Sequence, residues 1–225
     1  MRILHSIKYD IMSQYKNGIY FVYSFISIIY ILVLQLIPNN FTNSALVFLI
    51  FSDPTFLGFF FVGAMVLLER NQGIPLALFI TPLTLEEYII SKCISLSLIS
   101  VIVSLIITFT VKGAEFNIIL LTSVVLVNSI IFTLIGLITG MYSKTLNHYF
   151  LIATLVGVVI AIPLLNYFKV TSFRPFNLFP TYIAIALIEG AIYKSEINII
   201  YFLISIIWAI VLYDLAKVIL RNKFV

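Results

Sequence analysis

The chain has 225 residues, 62% of them hydrophobic and only 10% charged, so it lacks the polar surface that a soluble domain of this length needs. A mean hydropathy of +1.17 makes the bilayer its solvent. The net charge of +4 then reads as membrane topology, not as nucleic acid binding, and the single cysteine, Cys93, excludes an intrachain disulfide and is read as a small packing residue.

In chain order, residues 1–17 come first. Ile3, Ile7, Ile11 and Tyr15 recur every fourth position, with Ser6, Asp10, Ser13 and Asn17 on the other side. This predicts an amphipathic helix lying along the lipid interface. The basic residues ahead of a long apolar run mimic a signal peptide. The run is too long, however, and lacks a small-residue cleavage site, so it is expected to stay in place.

Six apolar stretches follow, at 18–37, 45–68, 88–111, 118–141, 148–168 and 197–219, each close to the ~20 residues that cross a bilayer. The expected fold is an all-α integral membrane protein of six transmembrane helices forming one domain over 1–225. If both termini are cytoplasmic, nine of the 13 Lys and Arg residues lie inside, and Lys112, Lys169, Arg174 and Lys194 lie outside. The positive-inside rule favours that orientation.

The second stretch contains "FSDPTFLGFFFVG". Asp53 before Pro54 reads as a helix start, with the acid as cap and the proline in the first turn. Sixteen residues separate it from Glu69, or ~24 Å of helix, which puts it toward the outer face. Binding of a cation or cationic drug is the functional alternative. Tyr23, Tyr30, Phe56 and Phe60 are candidates, with Asp53, for lining a substrate path, although aromatics at such spacings are more often plain packing. In the fourth stretch Ser129, Thr133, Gly136 and Gly140 form a small-residue ridge suited to close helix packing. Near the other end, 181–188 is apolar but too short to cross, and predicts a short helix dipping into the outer leaflet or lying on it.

The most informative segment is 69–84. Glu69 and Arg70 mark the exit of the second span, Gly73 permits a turn, and Pro75 suits the first turn of a short apolar helix over 74–80. Thr81-Pro82 closes it. Thr84 and Glu87 match a capping box for the third span, with Glu86 beside them, and Lys92 lies one turn further in, able to snorkel to the headgroups. A greasy helix beneath the membrane needs burial in headgroups or in a groove on a partner.

Glu69-Arg70-x-x-Gly73, Leu78, Thr81-Pro82-Leu83-Thr84, Glu87-Tyr88 and Lys92 together resemble the cytoplasmic signature of ABC-2-type export permeases. That resemblance implies that 69–84 carries a coupling helix seated in a separate ABC ATP-binding subunit, with Glu69, Arg70, Gly73, Ile74, Leu78, Phe79, Pro82 and Glu87 as coupling residues. It implies a second permease chain, as homo- or heterodimer, and places ATP and Mg on the partner, with no cofactor held by this chain. The N-terminal helix resembles the family's connecting helix, and "FNLFPTY" with the short apolar run is similar to its extracellular re-entrant helices. "FSDPTFLGFFFVG" with the coupling segment further resembles bacterial permeases labelled as fluoroquinolone or antibiotic exporters. The expectation is a permease of the bacterial plasma membrane, exporting a hydrophobic or amphiphilic molecule and not itself an enzyme. The chain has no Gly-x-x-x-x-Gly-Lys-Ser/Thr loop to hold nucleotide phosphates.

Three other readings compete. A secondary multidrug transporter would need an ionisable group inside the membrane, and Asp53 is the candidate. An intramembrane enzyme built on Glu86 and Glu87 would need histidines at membrane depth, and only His5 and His148 exist. A non-transporting membrane anchor or immunity protein would use the 69–84 segment merely to recruit a partner.

Overall fold

The computed structural model describes residues 2–71, 84–195 and 198–224, and every regular element among them is helical. Long apolar runs in lipid must satisfy their backbone hydrogen bonds internally, which selects helices. The elements are α1 (Arg2–Lys16), α2 (Ile19–Leu36), α3 (Asn39–Ile50), a π turn (Phe51–Thr55), α4 (Leu57–Asn71), α5 (Leu85–Lys112), α6 (Ile118–Met141), α7 (Leu146–Ala161), α8 (Leu164–Tyr167), a 3-10 turn (Arg174–Leu178), α9 (Pro180–Tyr193) and α10 (Ile199–Phe224). Among the described residues, six helices are long and apolar enough to cross a membrane: Ile19–Leu36, Asn40–Arg70, Leu85–Lys112, Ile118–Met141, Leu146–Tyr167 and Ile199–Lys223.

The second, third and fourth spans form the centre: 56% of an apolar 18-residue stretch of each is buried, against 22% for the first and 17% for the fifth and sixth. The small-residue ridge of the fourth span is the reason the centre is tight. A Cβ on Gly136 would collide with the Phe59 backbone, and one on Gly140 would lie 3.0 Å from Gly63 Cα. Gly58 in turn accommodates Thr133. The Tyr149 hydroxyl from the fifth span donates to the Phe59 carbonyl, with its ring lying over Gly63. Third and fourth spans are joined by a Ser100–Ser129 hydroxyl bond of 2.9 Å.

The structure corrects the reading of Asp53 as a helix cap. The second span begins at Asn39 and runs through Asp53 and Pro54 as one helix, widened into a π turn there. Pro54 has no N–H for the Ile50 carbonyl and its ring crowds that oxygen. One extra residue in the turn relieves the crowding, and the Thr55 hydroxyl donates to the Ile50 carbonyl at 2.9 Å in place of the missing bond. Asp53 therefore lies ~20 Å along the helix from Asn40, well inside the span instead of at its outer end.

The short helix α9 packs into the bundle. Ten of its 14 residues are buried, mostly against the fourth and second spans. Its end is held by the Asn117 N–H on the Ala191 carbonyl and by Lys112 Nζ on the Ile192 carbonyl, both at 2.9 Å. Trp208 Nε1 of the sixth span donates to the Leu178 carbonyl at 2.9 Å, pinning the turn that precedes α9. Asn166 organises the same loop, with its side chain bonding Phe173, Asn177 and Thr171.

Candidate functional site

α1 lies beside the bundle and turns one polar stripe toward it: Asp10 and Gln14 are buried and Ile3, Ile7 and Ile11 half-buried, whereas Leu4, Lys8, Tyr9, Met12, Tyr15 and Lys16 are exposed. The cause is a complementary polar stripe on α5. Ser6 donates to Ser91 at 2.9 Å, Ser91 to Asp10 at 2.7 Å, and Gln14 Nε2 to Ser95 at 2.9 Å.

Lys92 sits at the centre of this seam. It does not snorkel: its side chain is 1% exposed and its ammonium contacts Asp10 Oδ1 at 2.5 Å and Glu69 Oε1. The Tyr88 hydroxyl donates to Glu69 Oε2 at 2.7 Å, and the Lys92 ammonium lies 5.2 Å from the Tyr88 ring centre. A cation buried this deeply is tolerable only with its counter-ions and hydrogen bonds in place, and here two carboxylates supply them. The result is an ion triad from three elements: the helix before the first span, the end of the second, and the start of the third. A cavity of about 230 Å³ opens beside it, lined by Tyr9, Met12, Ser13, Lys16, Met65 and Glu69 among others.

The coupling residues expected from sequence are thus split. Glu69 is a buried member of the triad, Arg70 is exposed, and Glu87 completes a capping box with Thr84 through bonds of 2.9 and 3.2 Å. Gly73, Ile74, Leu78, Phe79 and Pro82 lie outside the described residues. Glu86 pairs with Lys217 at 2.5 Å on the exposed surface, joining the third span to the sixth. Asp10, Gln14, Ser91 and Ser95 are site residues that the sequence reading did not connect. Two stripes spaced by four, Ser6-Asp10-Gln14 and Ser91-Ser95, were the available signal.

The second group centres on the π turn and divides between two neighbours. Tyr23 is buried and packs on Phe61, with ring centres 5.5 Å apart, joining the first span to the second. Phe56 and Phe60 turn instead toward the fifth span and line a cleft of about 330 Å³ with Phe48, Phe51, Ser52 and Gly157. Phe56 also packs on Phe132 of the fourth span at 4.2 Å between ring centres.

A family profile described as the fluoroquinolones export permease protein family matches residues 1–225, the whole chain. The chain belongs to that family. Two relatives, both named fluoroquinolones export permease proteins and both from Mycobacterium tuberculosis (strains CDC 1551 / Oshkosh and H37Rv), are each 23% identical over 167 residues. The match covers 74% of this chain and 70% of each relative. No solved structure matches the chain. Six spans together with this membership make it a multi-pass membrane permease.

Proposed function

We propose that this chain is the membrane subunit of an ATP-driven exporter, moving a hydrophobic or amphiphilic, drug-like molecule out of a bacterial cell. A separate ABC ATP-binding subunit hydrolyses nucleotide, and two permease chains enclose the path, with both termini cytoplasmic. This chain makes up one transmembrane domain in that assembly.

The observation that carries the reading is the Asp10–Lys92–Glu69 triad. Residues 72–83 connect the second span to the third, and the triad binds the ends of those two spans to each other and to α1. Force applied to the connection is delivered to three helices as one body, because separating them strands a buried charge. The relatives' name, fluoroquinolones export permease, supports the direction and the substrate class.

The test places a photo-crosslinking residue at Leu78 or Phe79 in native membranes and measures ATPase activity of the purified complex with Leu78→Asp. Crosslinks to a nucleotide-binding subunit are expected, with loss of substrate-stimulated hydrolysis in the variant. Glu69 is unsuitable for this purpose, because reversing its charge dismantles the triad. Absence of any nucleotide-binding subunit among the crosslinked products refutes the proposal. A secondary transporter is the second reading, favoured by Asp53 at membrane depth. Collapse of transport on adding an ionophore while ATP is maintained would select it.

A further inference from the structure

We infer that the cavity beside the ion triad, between α1 and the end of the second span, binds a phospholipid whose headgroup joins a phosphate to a primary ammonium, as phosphatidylethanolamine does. Lys16 holds the phosphate and Glu69 receives the ammonium. The inference goes beyond the export reading and does not depend on it.

Charge on the two walls carries the assignment. The triad sets two carboxylates, Asp10 and Glu69, against the single ammonium of Lys92, which leaves one negative charge over. Glu69 lines the cavity. Lys92 and the Tyr88 hydroxyl each bond one of its oxygens, but a carboxylate has about four lone-pair sites, so it can accept further donors. Lys16 lines the same cavity, is exposed, and stands in no ion pair among the described residues, so it does not reach Glu69. Opposite charges that share a cavity without meeting suit a ligand of both signs, its cation toward Glu69 and its anion toward Lys16. An inorganic anion would satisfy Lys16 alone, and a simple alkylammonium Glu69 alone.

The surroundings match such a headgroup and its chains. Lys16 closes α1 just before the first span, and Glu69 lies in the last turn of the second, so the cavity stands at headgroup depth. Ser13, Asn17 and the Tyr9 hydroxyl offer hydrogen bonds to phosphate oxygens. α2 begins beyond Asn17 with no side-chain cap, and its first N–H groups add positive potential at that end. Met12, Met65 and Leu68 form the apolar part of the wall. Met12 and Leu68 are exposed, so the acyl chains can leave along them into the bilayer. At about 230 Å³ the cavity is many times the ~10–15 Å³ that admits one water. A primary ammonium also brings Glu69 the N–H donors that a trimethylammonium lacks.

The test uses the purified, delipidated full chain in detergent, with no ATPase and no nucleotide. Lipids of equal, short chain length are titrated in and counted by native mass spectrometry. Phosphatidylethanolamine is expected to bind about tenfold more tightly than phosphatidylglycerol, which has no cation, or phosphatidylcholine, which has no N–H donor. Lys16→Ala is expected to weaken phosphatidylethanolamine about fivefold or more, and Lys16→Arg to retain it. Lys16 is exposed and outside the triad, so both variants are expected to fold. Glycerophosphoethanolamine, the same headgroup without chains, is expected to bind far more weakly than the lipid. Equal binding of the three headgroups overturns the assignment, as does an unchanged phosphatidylethanolamine affinity in Lys16→Ala. Glycerophosphoethanolamine binding as tightly as the lipid overturns the membrane as the source of the ligand.

Discussion

Replacing Lys92 by Met removes the ammonium and keeps the side-chain volume. Two carboxylates, Asp10 and Glu69, are then left with side chains 3% and 8% exposed. Breaking a buried ion pair by deleting one partner costs about 3–5 kcal/mol. Each carboxylate keeps one hydroxyl donor here, Ser91 for Asp10 and Tyr88 for Glu69, so the low end applies, about 3 kcal/mol. For a chain of this length that corresponds to a fall of roughly 6–12 °C in Tm. Thermal unfolding in a single detergent, followed by the fluorescence of Trp208, measures it. The triple variant Lys92→Met, Asp10→Asn, Glu69→Gln removes the charges together and is expected to recover most of the loss, since neutral side chains need no counter-ion. A Lys92→Met protein melting within about 2 °C of wild type, or a triple variant no better than the single one, refutes the account of the triad as a clamp.

Two further substitutions test the packing and the surface. Gly136→Ala places a methyl against the Phe59 backbone, which cannot move aside as a side chain would. Overpacking of about 1–3 kcal/mol should outweigh the ~1 kcal/mol gain in helix propensity, giving a lower Tm and weaker association of the second and fourth spans. Glu86→Gln removes the partner of Lys217 in a pair whose side chains are 44–51% exposed. No measurable change in Tm is expected, because water and salt screen such a pair. A fall as large as that of Lys92→Met would show that exposure does not separate these two ion pairs.

Much was decided by the sequence alone. Six long apolar runs in a chain with 10% charged residues have one economical solution, a helical bundle in lipid, because no other structure satisfies the backbone there. The capping box at Thr84 and Glu87 was equally legible, since both partners lie within four residues of each other. The small residues of the fourth span announced close packing, though not that Phe59 and Gly63 would be their partners. Only the tertiary structure decided what Asp53 and Lys92 do. Asp53-Pro54 has the same local pattern at a helix start as in a π turn, and the helix running on from Asn39 selects the second. Lys92 one turn into a span suits either a headgroup contact or a buried ion pair, and the choice rests on Asp10 and Glu69, 82 and 23 residues away. Local rules set the helices; charge pairing across distant segments, enforced by the cost of an unpaired ion away from water, set how they are joined.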